Sequence, residues 1–355
     1  LKIDAKIKEV IQLFLKLGFT AFGGPAAHIA MMREEVVVKR KWLTEQHFLD
    51  LTGAVNLIPG PNSTEMTMHI GHERAGWKGL VLAGLCFILP AVLITAVFAW
   101  FYKAYGQLPE VQPFIYGIKP AIVAIILAAV YPLAKKSLKS GVLMLLGLAV
   151  LILSLLQFNE IWIMFGAGFV AVIISEIRNR TDKQTLGIFP FAMMPLSAAT
   201  VVSVSNLSLF LIFLKIGSIL YGSGYVLFAF LDTELVATGL ISRQQLIDAI
   251  AVGQFTPGPV FSSVTFIGYQ INGWTGAFVA TVGIFLPSFF FVALLNRFVK
   301  KMRDSRRFSV FLDAVNVAAV AMIISVCYEM GRDSIYDWRT VLIAVLSLVF
   351  TFGFR

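Results

Sequence analysis

Charge, cysteine and histidine are all scarce in this chain. Of its 355 residues only 14% are charged, two are cysteines and four are histidines. Soluble domains average about 25% charged residues, so this composition does not describe a protein that meets water on all sides. Cys86 and Cys327 both lie inside apolar segments, which excludes a disulfide framework and a paired metal motif. Neither a metal nor a cofactor is expected. Catalytic signatures are missing too: there is no His-Glu-x-x-His, no Walker-type glycine loop and no Gly-x-Ser-x-Gly. An enzyme with catalytic residues is therefore not expected, and a secondary transporter is favoured, with a separate ATPase subunit left open. No separate signal peptide is visible. The chain begins at Leu and stops inside an apolar run at 340–355, so a further terminal span is expected beyond it.

Apolar residues make up 58% of the chain, 31 of them Phe, and the mean hydropathy is +0.83. The runs 79–100, 121–134, 141–156, 161–174 and 275–295 contain no charged residue. A helix needs roughly 20 such residues to cross a hydrocarbon core. The runs are continuous rather than alternating, which selects helices over a barrel. The fold class is an all-α, multi-pass protein of the cell inner membrane, surrounded by lipid. The net charge of +9 does not indicate nucleic acid, because Lys and Arg sit between the apolar runs, where the positive-inside rule puts them.

Two stretches match in order. The first carries Phe14-Leu15-Lys16-Leu17-Gly18, Phe22-Gly23-Gly24, Asp50, Pro59-Gly60-Pro61, Gly76-Trp77-Lys78-Gly79 and Leu89-Pro90. The second carries Phe213-Leu214-Lys215-Ile216-Gly217, Tyr221-Gly222-Ser223-Gly224, Asp248, Pro257-Gly258-Pro259, Gly273-Trp274-Thr275-Gly276 and Leu286-Pro287. So many shared landmarks signify an internal duplication. The expected units are 1–140, a linker of spanning helices at 141–205, and 206–355.

Charge then separates the copies. The loop at 33–41 holds Arg33, Lys39, Arg40 and Lys41, whereas its counterpart has Arg243 beside Asp232 and Glu234. After the Leu-Pro helix the bias reverses, with Lys103 alone against the cluster at 297–307. Matching loops on opposite sides of a membrane make an inverted repeat, common among secondary transporters. The count closes if 11–22 and 48–58, too short to cross, turn at their glycine and proline breaks and return as re-entrant hairpins. Full spans are expected near 79–101, 113–134, 141–157, 160–176 and 185–204. In the second copy, hairpins near 206–237 and 246–270 precede spans near 275–297, 310–330 and 340–355.

The breaks carry the chemistry. Pro-Gly-Pro cannot continue a helix, and backbone freed at membrane depth is tolerated only in a cavity or inside protein. Restarting helices point unpaired N–H groups and a positive dipole end into that space, which favours an anion. Candidate substrate-binding residues are Phe22, Gly23, Gly24, Pro25 and His28, with Pro59, Gly60, Pro61, Asn62 and Ser63 at the second break. Their second-copy partners are Tyr221, Gly222, Ser223 and Gly224, then Thr256, Pro257, Gly258, Pro259, Ser262 and Ser263. A bland alternative is that the turns merely kink two helices. Lys16 and Lys215, at equivalent places, are expected either to balance a dianion or to snorkel to an interface. Asp50, Asp248, Arg33, Glu34 and Glu65 are candidates for coupling or gating. The face Glu65, His69, His72, Glu73 reads as a polar interfacial face, with a metal site or proton relay as the alternative. Arg33-Glu34-Glu35 reads as a solvated face, and His28 as either a substrate contact or a satisfied core histidine.

These residues resemble the chromate ion transporter family in its fused two-domain form. The likeness is carried by Phe22-Gly23-Gly24-Pro25, Arg33-Glu34-Glu35, Trp42-Leu43 and Pro59-Gly60-Pro61. In the second half it rests on Phe213-Leu214-Lys215-x-Gly217, Tyr221-Gly222-Ser223-Gly224-Tyr225 and Thr256-Pro257-Gly258-Pro259. It covers nearly the whole chain and departs at the ends, where a further terminal span is expected. The resemblance implies export of chromate from the bacterial cytoplasm, with sulfate as competitor because it is a tetrahedral dianion of similar size. An oxyanion importer or an anion channel on the same scaffold is the alternative. A homodimer is a candidate assembly.

Overall fold

The computed structural model describes residues 5–106, 108, 110, 112–178, 205–221, 224–295 and 305–353, and among these the regular elements are all helical. In the first half they are α1 (Ala5–Thr20), α2 (Gly24–Arg33) running into a π-helical turn (Glu34–Lys39), α3 (Glu45–Val55), α4 (Asn62–Tyr105), α5 (Gln112–Ser137) and α6 (Gly141–Leu155). After α7 (Glu160–Arg178), the second half repeats the series. It runs α8 (Asn206–Ile219), α9 (Val226–Leu231) with its π turn (Asp232–Val236), α10 (Arg243–Phe255), a 3-10 turn (Val260–Ser262), α11 (Ser263–Leu295), α12 (Arg306–Ser334) and α13 (Trp338–Gly353). The expected spans from 79 to 176 and from 275 onward are present as helices; the one expected at 185–204 lies outside the described residues.

Local sequence explains the elements. In α1 the buried residues Val10, Leu13, Phe14 and Leu17 recur at steps of three and four, one apolar stripe of a helix. Thr44 and Ser242 occupy the same place before α3 and α10 and cap them, accepting from the amides of His47 and Gln245 at 3.2 and 3.1 Å. Both α4 and α11 are sharply bent. Gly76 (φ 61°, ψ −151°) and Gly273 (φ 62°, ψ −148°) adopt the same conformation, which a side chain would disfavour. Each bend folds the helix back so far that glycines eight apart meet. A Cβ on Gly71 would lie 2.3 Å from the Gly79 carbonyl oxygen, and one on Gly268 would lie 2.3 Å from that of Gly276. The limbs before the bends are the returning arms of the hairpins.

Side-chain contacts establish the inversion. Arg74, at the end of the first returning limb, bonds Glu9 near the start of α1 at 2.6 Å, and Asn272, at the end of the second returning limb, bonds Asn206 at the start of α8 at 3.0 Å. Each half therefore brings its hairpin ends to one face. Lys103, at the far end of α4, reaches the carbonyl of Gln270 at 3.4 Å. Since α4 crosses the molecule between Trp77 and Lys103, the hairpin ends of the two halves lie on opposite faces.

In the packing, α1 lies along α4 and α8 along α11, while α4 and α11 pack on one another at the centre. The close approach is built on glycine: a Cβ on Gly18 would meet the Cys86 carbonyl oxygen at 2.8 Å, and one on Gly217 that of Ile284 at 2.4 Å. A bundle of α5, α6, α7, α12 and α13 stands beside this pair.

Candidate functional site

The midplane of the molecule is where broken backbone meets broken backbone. The amide of Gly60 donates to the carbonyl of Leu220, and the amide of Gly258 donates to the carbonyl of Ala21, both at 2.8 Å. Leu220 ends α8 as Ala21 ends α1, so each Pro-Gly-Pro turn is tied to the first helix break of the other half. The glycine turns meet as well. A Cβ on Gly24 would lie 3.2 Å from Tyr225 Oη, and one on Gly224 would lie 3.8 Å from Pro25 Cγ. Gly222 and Ser223 lie outside the described residues. The convergence expected from the sequence is thus present at the described breaks, and it is reciprocal.

The lining directly beside the two turn glycines differs. Next to Gly60 stand Glu65, from the first turn of α4, and Ser288, which follows Pro287 in α11. A Cβ on Gly60 would lie 2.3 Å from Glu65 Oε1 and 2.4 Å from Ser288 Oγ. At the mirror position beside Gly258 stands Ala91, which follows Pro90, its Cβ 2.9 Å from where a glycine Cβ would be. Glu65 is 0% exposed. Its two oxygens, together with Thr64 Oγ1, Ser263 Oγ and Ser288 Oγ, are buried without a hydrogen-bond partner among the described residues. Buried polar groups are ordinarily paired, which sets these atoms near the two Pro-Gly-Pro turns apart from the rest of the core.

Other expected site residues fall nearby or further out. Ser63, Thr256, Ser262 and His28 are buried. Ser262 accepts from Thr95 at 3.2 Å, Thr256 bonds back to the Gly253 carbonyl at 3.3 Å, and His28 sits edge-on to Phe87. Asn62 is tied to Asn56 at 2.8 Å, Phe22 and Gly23 are exposed, and Tyr221 packs against Phe165. The four-residue polar face of α4 divides. Glu65 and His69 are buried, His72 is half-buried and Glu73 exposed, because the limb turns its first half inward before reaching the bend. An interfacial face does not describe Glu65.

The paired lysines are placed differently from a bare charge at the anion site. Lys16 Nζ lies 3.0 Å from Glu35, and Lys215 Nζ lies 2.6 Å from Glu234. Both glutamates are 19 residues after their lysine, each in a π turn. A π turn shifts the register of a helix and is frequent at functional sites; here it aims Glu35 and Glu234 at the lysines. Glu35 is buried and also meets Lys39 and Arg40 at 3.6 and 3.4 Å, so Arg33-Glu34-Glu35 is not simply a solvated face. Arg33 bonds Glu45 at 2.7 Å, and the equivalent residues Asp232 and Arg243 form the same bridge with reversed signs at 3.1 Å. Glu34 stays at the surface, 3.7 Å from Lys39.

Three participants were not singled out from the sequence. Lys119, inside the span of α5, lies 3.7 Å from the buried Asp248, which also accepts from Tyr102 at 2.5 Å. A lysine within a spanning segment is itself a signal and could have been read. Asp50, the counterpart of Asp248, is half-buried and meets Gln46 instead at 3.4 Å. Ser288 had no local signal; only the fold brings it to Gly60.

The chain is similar to known proteins. The chain is 30% identical to a probable chromate transport protein of Synechococcus elongatus, over 97% of this chain and 89% of that one. It is 28% identical to a chromate transport protein of Cupriavidus metallidurans (98% and 88% covered) and 29% identical to one of Pseudomonas aeruginosa (91% and 81%). No solved structure matches it significantly. The profile of the chromate transporter family matches residues 8–172 and 207–355, one segment in each half, and the chain belongs to that family.

Proposed function

We propose that this protein exports chromate across the cell membrane by alternating access, binding the dianion at the midplane between the two Pro-Gly-Pro turns. The observation that carries the reading is the reciprocal bonding of Gly60 to Leu220 and Gly258 to Ala21 beside unpaired, buried Thr64, Ser263 and Ser288. Hydroxyls and helix-start amides suit a tetrahedral oxyanion, and sulfate offers the same acceptor geometry and so competes. The halves, 1–140 and 206–355, move about this point with 141–205 linking them. The two lysine–glutamate bridges act as latches on opposite faces: Lys16–Glu35 on the basic, cytoplasmic side and Lys215–Glu234 on the other. Lys16 is 57% exposed and Lys215 39%, which supports a state open toward the basic face, where Arg and Lys gather anions.

Inverted vesicles containing the full chain test the reading. Wild type accumulates chromate and is inhibited by sulfate, while Ser288→Ala and Thr64→Val each weaken half-saturation by roughly tenfold, as expected for loss of a hydrogen bond to a charged partner. Wild-type vesicles that accumulate no more chromate than empty ones would refute it.

A further inference from the structure

We infer that Glu65 is a proton site linked to the anion site, so that a dianion and a proton bind together and cross together. This rests on the midplane anion site proposed above and specifies its coupling. Glu65 is the acidic side chain at the centre of that site. It is fully buried and lies against the backbone of Gly60, with Ser288 beside it. No Lys or Arg among the described residues bridges it, and the one polar side chain close enough to bond it is the neutral hydroxyl of Ser288.

Its surroundings do not offer a charge to balance it. From the end of α8 comes Tyr221, within electrostatic reach of Glu65; from α11 comes Ser288; α2 brings the buried His28 to the same core, and His69 stands one turn on along α4. The ionisable side chains Lys16 of α1, Asp50 of α3 and Asp248 of α10 are engaged elsewhere, with Glu35, Gln46 and Lys119. An ionised Glu65 would lie in the first turn of α4 and take up the same helix-start amides that an oxyanion needs. Two negative guests in one water-poor site repel strongly. Ionised Glu65 and a bound dianion therefore exclude one another, and the anion enters only as Glu65 takes a proton from water. The proton leaves when the anion does. Each cycle then moves one dianion and one proton, a single net negative charge, which an inside-negative membrane potential drives outward. The second half has Ser262 and Ser263 at the corresponding place, so the molecule holds one such carboxyl and not two.

The test is chromate binding to the purified full chain across a pH series, with proton uptake read in weak buffer. Chromate's own protonation affects all variants alike, so the comparison isolates Glu65. Wild type loses affinity by about tenfold per pH unit above the Glu65 titration relative to Glu65→Gln, and takes up one more proton per chromate than Glu65→Gln does. Glu65→Asp keeps the wild-type slope. Equal slopes and equal proton counts in wild type and Glu65→Gln overturn this inference while leaving the anion site standing. Absence of chromate binding by wild type overturns both. Should Glu65→Gln fail to fold, wild type decides alone: a proton count no greater than chromate's own titration supplies overturns the linkage.

Discussion

The two hairpin regions share a sequence plan and differ in how they are covered. All six residues of α9 are buried, whereas in α2 only Gly24, His28 and Met32 are. The main cover over α9 comes from α12, with α7 and α10 beside it, whereas α2 packs mainly on α4 and its own π turn. At the midplane the polar residues Glu65 and Ser288 stand beside Gly60, and Ala91 stands beside Gly258. Duplication thus supplies a symmetric frame, and divergence places the polar site and the lateral support on different halves. Under the proposed mechanism a second arrangement would exchange which half is covered. That exchange is what alternating access requires.

The largest effect should come from the two turn glycines. Gly60→Ala forces a Cβ into Glu65 and Ser288 at a backbone φ of 137°. Chromate uptake should fall by about 100-fold, the scale of a misplaced binding group. Gly258→Ala, at φ 86°, sets its Cβ 2.9 Å from Ala91 Cβ and displaces no polar side chain among its nearest neighbours. It should carry the backbone strain of about 1–3 kcal/mol with roughly a tenfold loss of uptake. Equal losses in the two variants would show that the site is not biased toward Gly60.

Next in size is the pair of matched aspartates. Lys119→Met leaves the buried Asp248 without its cation and should cost roughly 3 kcal/mol, read as a lowered thermal transition in detergent. Asp50→Asn, at a half-buried site, should stay within about 0.5 kcal/mol of wild type. A destabilisation by Asp50→Asn as large as that by Lys119→Met would remove the asymmetry between the halves.

Smallest is the effect on the latches. A partly exposed bridge contributes about 0.5–1 kcal/mol, so Lys215→Ala should shift the balance of states by about two- to fivefold. The expected shift is toward labelling of a cysteine introduced near Tyr221 from the non-cytoplasmic side, with Lys16→Ala moving it the opposite way. Shifts of the same sign in both variants would break the assignment of one latch to each face.

Much of the frame was legible in the chain. Apolar run lengths located α4 to α7 and α11 to α13, because lipid tolerates little else over roughly 20 residues. Matched prolines and glycines located the breaks, since proline and left-handed glycine have few other uses inside apolar segments. The lysines were legible as a matched pair, but their partners were not. Glu35 and Glu234 sit 19 residues on, a separation no helical period predicts, and reach the lysines only because a π turn and a chain reversal intervene.

By itself, then, the sequence determined that this is a helical membrane protein in two opposed copies with backbone broken at depth. Local chemistry suffices for that: hydropathy, proline and glycine act on their own residues and neighbours. What faces what was decided only in three dimensions. The meeting of Gly60 with Ser288, the bonding of each turn to the other half's first helix, and the burial of Glu65 beside Ser288 join residues from distant parts of the chain. Such contacts follow from the packing of α4 against α11, and no pattern along either helix announces them.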